Sequence, residues 1–224
     1  MGVEEPQLND TPRTPRERIL EHTAAAFPGL CPEISLYLIT PESPLWRATE
    51  NEAARRGVPW PFWAFAWSGG QALARYVLDF PDVVQGKSVL DFGTGSGLVA
   101  IAAALSGADE VLAADIDPTA VAAAALNAEI NGVQFDITSR DLTGDLTRDW
   151  DVVLAGDMYY DAGESERSST WLTELKARGA RVLIGDPDRG FLDTGEVDRL
   201  ATYDAPDDND ADGTRTVPTG VYEI

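Results

Sequence analysis

Lys87-Ser88-Val89-Leu90-Asp91-Phe92-Gly93-Thr94-Gly95-Ser96-Gly97, followed by Ala113-Ala114-Asp115-Ile116-Asp117-Pro118, is the stretch that decides the fold. An apolar strand runs into an acid and then into glycine at every second position. A helix should follow, and a second apolar strand ends in another acid. This is the layout of a nucleotide-cofactor site on a doubly wound α/β sheet, where ligands bind beyond the carboxyl ends of the strands. Working outward, the pattern predicts strands at 88–92, 110–115, 134–139, 151–156 and 181–185. Helices are predicted at 97–106, 118–131 and 164–178. Gly107 should stop the first, Pro118 should open the second, and Asn131-Gly132 should end it. Strands alternating with helices imply a parallel sheet. Leu200–Tyr203 and Thr214–Ile224 read as an antiparallel hairpin closing it, joined by the acidic, solvated run 204–213.

The glycines allow a tight turn and close backbone approach to a ligand. Asp115, about 20 residues on, can accept from both hydroxyls of a ribose. A dehydrogenase would share these features. Three details favour S-adenosylmethionine over a dinucleotide. The spacing is Gly-x-Gly-x-Gly, with Leu at position 98. Asp91 would face a pyrophosphate unfavourably but suits a ligand that carries an ammonium and a sulfonium. A C-terminal hairpin is unusual for a dinucleotide fold. The candidate cofactor residues are therefore Asp91, Gly93, Thr94, Gly95, Gly97 and Asp115. Asp141, expected at the end of the third strand, joins them as an acceptor for an adenine amino group.

The fourth strand ends in Gly156-Asp157-Met158-Tyr159-Tyr160-Asp161. In this architecture that end faces the transferred methyl group. Asp157 could hold an amine, and Tyr160 could add a hydroxyl or a ring face for a cation. The competing reading has Asp157 capping the helix that follows. Trp60, Phe62, Trp63, Phe65 and Trp67 crowd one segment before Ser68-Gly69-Gly70. Most should be packing residues; Trp67 is the expected cofactor contact, and a helix should run from Gly70 to about Leu78.

The chain has 224 residues and 44% hydrophobic content, enough for one domain with an N-terminal appendage. Thr14-Pro15-Arg16-Glu17 should open a helix through Ala26, Ile34–Thr40 a strand, and Pro44–Arg56 another helix. The expected division is an extension at 1–58 and a catalytic domain at 59–224. The start is polar and carries no secretory signature, and no apolar run approaches the roughly 20 residues of a spanning helix. The single cysteine, Cys31, rules out an intrachain disulfide and a Cys-based metal site. The expected compartment is the cytoplasm. A net charge of −21, with lysine only at 87 and 176, repels phosphate backbones and anionic membranes. His22, the sole histidine, sits in the predicted N-terminal helix; no metal site is arguable without a His/Cys cluster.

Several stretches together resemble the seven-strand, Rossmann-like class I protein-lysine methyltransferases with an Asp-x-x-Tyr motif. The likeness is to the lysine methyltransferases of the electron transfer flavoprotein beta subunit in their bacterial form. It is carried by Pro61-Phe62-Trp63-Ala64, by Trp67-Ser68-Gly69-Gly70-Gln71-Ala72-Leu73 and by residues 81–91. Asp115-Ile116-Asp117-Pro118, Gly156–Asp161 and Val182-Leu183-Ile184-Gly185-Asp186-Pro187 complete it. The resemblance implies a seven-stranded, mostly parallel sheet with helices on both faces. It implies S-adenosylmethionine held by Trp67, the Gly93–Gly97 loop, Asp115 and the backbone near Gly156. It also implies Asp157 and Tyr160 serving a target lysine on a protein substrate, the flavoprotein beta subunit. A small-molecule (nicotinamide-like) N-methyltransferase, a ribosomal-protein lysine methyltransferase and a binding protein that has lost catalysis remain as alternatives.

Overall fold

Val89, Val152, Leu154 and Leu183 lie in one hydrophobic core, while Leu90, Val153, Ala155, Val182 and Ile184 lie in another. Successive strand residues point to opposite faces. These central strands are therefore buried on both sides, which explains their unbroken apolar runs. The computed structural model describes residues 14–40, 60–195, 197–207 and 215–224. The expected helix at 44–56 lies outside the described residues, as does most of the acidic run 204–213.

Seven strands form the main sheet: β3 (Ser88–Phe92), β4 (Glu110–Ala114), β5 (Asp136–Thr138), β6 (Val152–Gly156), β7 (Arg181–Asp186), β8 (Asp198–Pro206) and β9 (Thr216–Glu223). Their order is β5-β4-β3-β6-β7-β9-β8. The first five are parallel, and β9 runs antiparallel to both β7 and β8. The order reverses between β3 and β6, which opens the crevice that doubly wound sheets use for ligands. On one face lie α2 (Ser68–Asp79) and α3 (Leu98–Leu105), with Leu73, Val77 and Ile101 in the first core. α5 (Ala162–Ala177) covers the other with Trp171, Leu172 and Leu175.

Helix boundaries follow local chemistry. Asp117 caps α4 (Pro118–Ile130) by accepting the Thr119 N–H at 2.7 Å, and Pro118 occupies the first helical position. Gly97, at φ 83°, precedes α3, and a Cβ there would stand 3.0 Å from Ala124 of α4. The glycine therefore serves both the turn and the helix contact.

The N-terminal region departs from expectation. α1 spans Pro15–His22, opened by a capping box between Thr14 and Glu17. The helix does not continue to Ala26. Thr23–Ala26 is instead a strand, β1, paired antiparallel with β2 (Leu36–Ile39). The Thr23 hydroxyl donates to the Ile19 carbonyl at 2.6 Å as the helix closes. Pairing with β2 outweighs the helix preference of the three alanines, because Leu36 and Ile39 are buried in the process. Asn127 of α4, fully buried, ties this region to the glycine loop. It accepts from the Tyr37 N–H at 2.8 Å and donates to the Ser96 carbonyl at 2.8 Å.

Candidate active site

The glycine loop leaves β3 with Gly93, Gly95 and Gly97 all at positive φ. The N–H groups of Gly93 and Thr94 both donate to the Ala114 carbonyl, at 2.9 and 3.0 Å, which folds the loop over the end of β4. Asp91, only 1% exposed, lies beneath it. Its Oδ2 accepts from the Thr94 hydroxyl at 2.5 Å and from the Ala100 N–H at 3.0 Å. Its Oδ1 is sealed from water and has no hydrogen-bond partner. Burial pushes the carboxyl up to about 7, against the pull of those two donors. An orphaned buried carboxylate oxygen carries a cost that a cationic group placed against it would relieve.

Asp115 follows β4 directly. Its Oδ2 accepts from the Gly95 N–H and its Oδ1 from the Asp117 N–H, each at 2.9 Å. Burial raises this carboxyl as well. Each oxygen has two lone pairs, so a further acceptor position remains on each for a pair of hydroxyls. An ammonium at Asp91 and a ribose at Asp115 are the groups of S-adenosylmethionine that these residues fit.

Asp157 leaves β6 in the left-handed region at φ 57°. Its side chain is 12% exposed. The carboxylate accepts from the Gly69 N–H at 3.1 Å, the Gly70 N–H at 2.5 Å and Arg189 Nη1 at 2.7 Å. The two amides are unsatisfied donors of the first turn of α2, where the helix dipole favours an anion. Asp157 thus caps a helix, but it is the preceding α2, not the one that follows. Burial raises its carboxyl, while Arg189 and the two amides oppose the shift.

The approach that makes this cap possible needs glycine. A Cβ on Gly69 would stand 2.3 Å from the Gly185 carbonyl oxygen, and one on Gly156 would stand 2.8 Å from Gly70 Cα. Gly69→Ala is expected to destabilise the protein by about 3 kcal/mol, although alanine is the better helix former. Urea denaturation checks this; an unchanged midpoint would show that α2 can move off the sheet freely.

Met158 joins the two halves of the site. A Cβ on Gly93 would stand 2.1 Å from its Sδ, so the thioether lies on the glycine loop. Trp67 sits one residue before α2, and its indole N–H donates to the Phe62 carbonyl at 2.8 Å. Its ring lies 5.3 Å from Phe65 and 6.1 Å from Phe62, and Phe62 in turn stacks on Tyr160 at 6.5 Å. Phe62 and Tyr160 are about half exposed. The aromatic segment is therefore one connected wall running from α2 to the loop after β6.

The structure brings Asp91, Thr94, the three glycines, Asp115, Gly156 and Asp157 to the switch point. Asp141 is different. β5 ends at Thr138, so Asp141 lies three residues beyond the strand, half-exposed. It accepts from the Thr143 N–H at 2.9 Å and pairs with Arg167 of α5 at 3.2 Å, contacts that lower its carboxyl. Sequence reasoning missed Arg189 and Asn127. An arginine three residues past a strand-end acid, on the strand beside the one bearing Asp157, was the signal for the first. Asn127 gave none, because its partners are distant backbone groups. Among the described residues no cluster of three or more His, Cys, Asp or Glu could hold a metal.

A protein-family model of ribosomal protein L11 methyltransferases matches residues 71–157, the segment from α2 to Asp157. The electron transfer flavoprotein beta subunit lysine methyltransferase of Xenopus laevis is 43% identical over 199 residues, 86% of this chain and 80% of the relative. The Homo sapiens enzyme of that name is 45% identical over 176 residues, 75% of this chain and 64% of the relative. A solved structure from Streptococcus mutans, assigned to the SAM-dependent methyltransferases, superposes with a TM-score of 0.51 at 10% identity. It covers 70% of this chain and 49% of that one, and the likeness bears on the fold alone. With the identity to the Xenopus enzyme extending over most of both chains, this protein belongs to the electron transfer flavoprotein beta subunit lysine methyltransferase family.

Proposed function

We propose that the protein transfers a methyl group from S-adenosylmethionine to the side-chain amine of a lysine on the electron transfer flavoprotein beta subunit. The observation that carries this reading is the 43% identity over 86% of the chain to a relative of that name. The site has the groups such a reaction needs. S-adenosylmethionine supplies an electrophilic methyl on a sulfonium. Asp91, the Gly93–Gly97 loop and Asp115 hold it, and Asn127 steadies the loop from below. Trp67 and Gly156 flank this position.

The lysine nitrogen must arrive neutral, with its lone pair free. With the donor bound, that lone pair would form the N–C bond as the donor's C–S bond breaks, the bond's electron pair staying on sulfur. An ordinary lysine near pKa 10.4 is almost wholly charged at neutral pH. Asp157 orients the nitrogen through the lone pair left by its three donors, and Tyr160 with Phe62 lines the approach. Orientation of this kind contributes several kcal/mol to a bimolecular transfer.

Residues 1–58 and the acidic run 204–213 are read as target-recognition elements. A cytoplasmic location is the compartment we assign, and a chain with a single cysteine is consistent with a reducing environment. The net charge of −21 disfavours nucleic acid as a substrate. Among the described residues no helix is long and apolar enough to cross a membrane.

Incubation with labelled donor and purified flavoprotein from the same source is expected to label one lysine-bearing peptide of the beta subunit. No label there, with transfer to another protein of the lysate, would overturn the substrate assignment.

A further inference from the structure

We infer that Arg189 is a positioning residue for the acceptor amine: its guanidinium neutralises Asp157, so that the carboxylate orients the incoming lysine nitrogen without retaining its proton. The inference rests on the lysine reading above and adds a residue that the cofactor motifs do not contain.

The geometry begins at the end of β7. Asp186 is fully buried there, and its Oδ1 accepts from the Asp188 N–H at 2.7 Å and the Arg189 N–H at 3.3 Å. Asp188 takes a left-handed conformation at φ 64°. This turn directs Arg189 back across the sheet to Asp157, where Nη1 meets Oδ1 at 2.7 Å. The same nitrogen lies 3.9 Å from Asp186 Oδ2, an oxygen with no hydrogen-bond partner. The guanidinium therefore sits between two buried acids and leans on Asp157.

The chemistry requires such a neutraliser. A bare, buried carboxylate beside a lysine favours the ammonium, and an opposite charge at this range shifts a titration by about 1–3 units. That shift would work against a reaction needing the free amine. Guanidinium keeps its charge throughout the working pH range. Paired with Asp157, it leaves the carboxylate able to accept a hydrogen bond but with little net charge to hold a proton. Packed against Asp157 are Arg189 from the turn after β7, with Asp186 beside the same guanidinium, and the Gly69 and Gly70 amides from α2. Apart from the arginine, the amide dipoles are the positive contribution from these elements, and Asp186 adds to the negative side.

The test compares wild type, Arg189→Met and Arg189→Lys, each as the full chain, on the flavoprotein beta subunit across pH 6.5 to 10. In Arg189→Met the acidic limb of kcat/KM is expected to move up by about one pH unit or more, with activity returning at high pH. Arg189→Lys should restore most of the wild-type profile. A loss of the same factor at every pH would mean that Arg189 only holds the structure, and a gain in activity would mean that it blocks the site. Either result overturns the inference. Carbon-13 titration of the Asp157 carboxyl in the free protein supplies a readout independent of the acceptor. Its midpoint should rise in Arg189→Met, and an unchanged midpoint would overturn the inference. Failure of wild type to methylate lysine while that midpoint shifts would instead locate the fault in the lysine reading.

Discussion

Asp157→Ala is expected to lower methyl transfer by about 10²–10³-fold, and to do so for two separable reasons. The first is chemical: the acceptor amine loses the group that orients it. The second is structural: the Gly69 and Gly70 amides and Arg189 lose their acceptor together. Leaving the two amides without their acceptor and taking Asp157 away from Arg189 costs about 2–4 kcal/mol of stability. Donor binding is therefore expected to weaken as well, since Trp67 stands at the start of α2. Asp157→Asn separates the two reasons. Asparagine retains one oxygen for the amides, so more of the stability should remain while transfer still falls. Thermal denaturation, donor calorimetry and single-turnover rates on the same three proteins decide the matter. Full activity in Asp157→Asn would remove the carboxylate from the mechanism.

Asp91→Asn should produce opposite effects on stability and binding. The Asp91 carboxyl stands at about 7 in the folded protein, above the ordinary carboxylate value. Between about pH 4 and 7 the folded state thus binds more protons than the unfolded one, and the stability conferred by this group falls as pH rises. Above pH 7 the wild type bears the full cost of a buried, half-satisfied charge. Asparagine keeps an acceptor for Thr94 and Ala100 without that charge. Stability at pH 8 is expected to increase by about 1–3 kcal/mol, with a flatter pH dependence. Donor affinity should fall by about 10²–10³-fold, because the ammonium loses its counter-charge. Because a cationic donor favours ionised Asp91, binding to wild type should also release a proton below pH 7. Calorimetry in buffers of different ionisation enthalpy measures that release. An Asp91→Asn variant that is less stable at pH 8, or that binds donor as wild type does, would contradict this account of the site.

The sheet was legible in the residues because its strands are apolar on both faces and its junctions carry their own chemistry. The turn at Gly93–Gly97, the Pro118 helix start and the C-terminal hairpin are all local patterns, and β3 to β7 fall within two residues of expectation. The same is true of Asp91 and Asp115, which are placed by strand ends. Reading failed where distant contacts decide. Thr23–Ala26 is a helical sequence captured by its pairing with β2.

By itself the sequence determined the fold class, the glycine loop with its two flanking acids, and the identity of the acid at the end of β6. Each depends on residues close together in the chain, where spacing and backbone preference suffice. Only the tertiary structure decided what that last acid does before any substrate arrives. Gly69 and Gly70 approach Asp157 from 88 and 87 residues earlier, and Arg189 from 32 residues later. Their meeting depends on the first turn of α2 touching two adjacent strands through glycines, Gly69 on Gly185 and Gly70 on Gly156, and on a turn that brings an arginine back to the neighbouring strand end. No local rule encodes that convergence, because the charge balance at Asp157 is set by packing between elements remote in sequence.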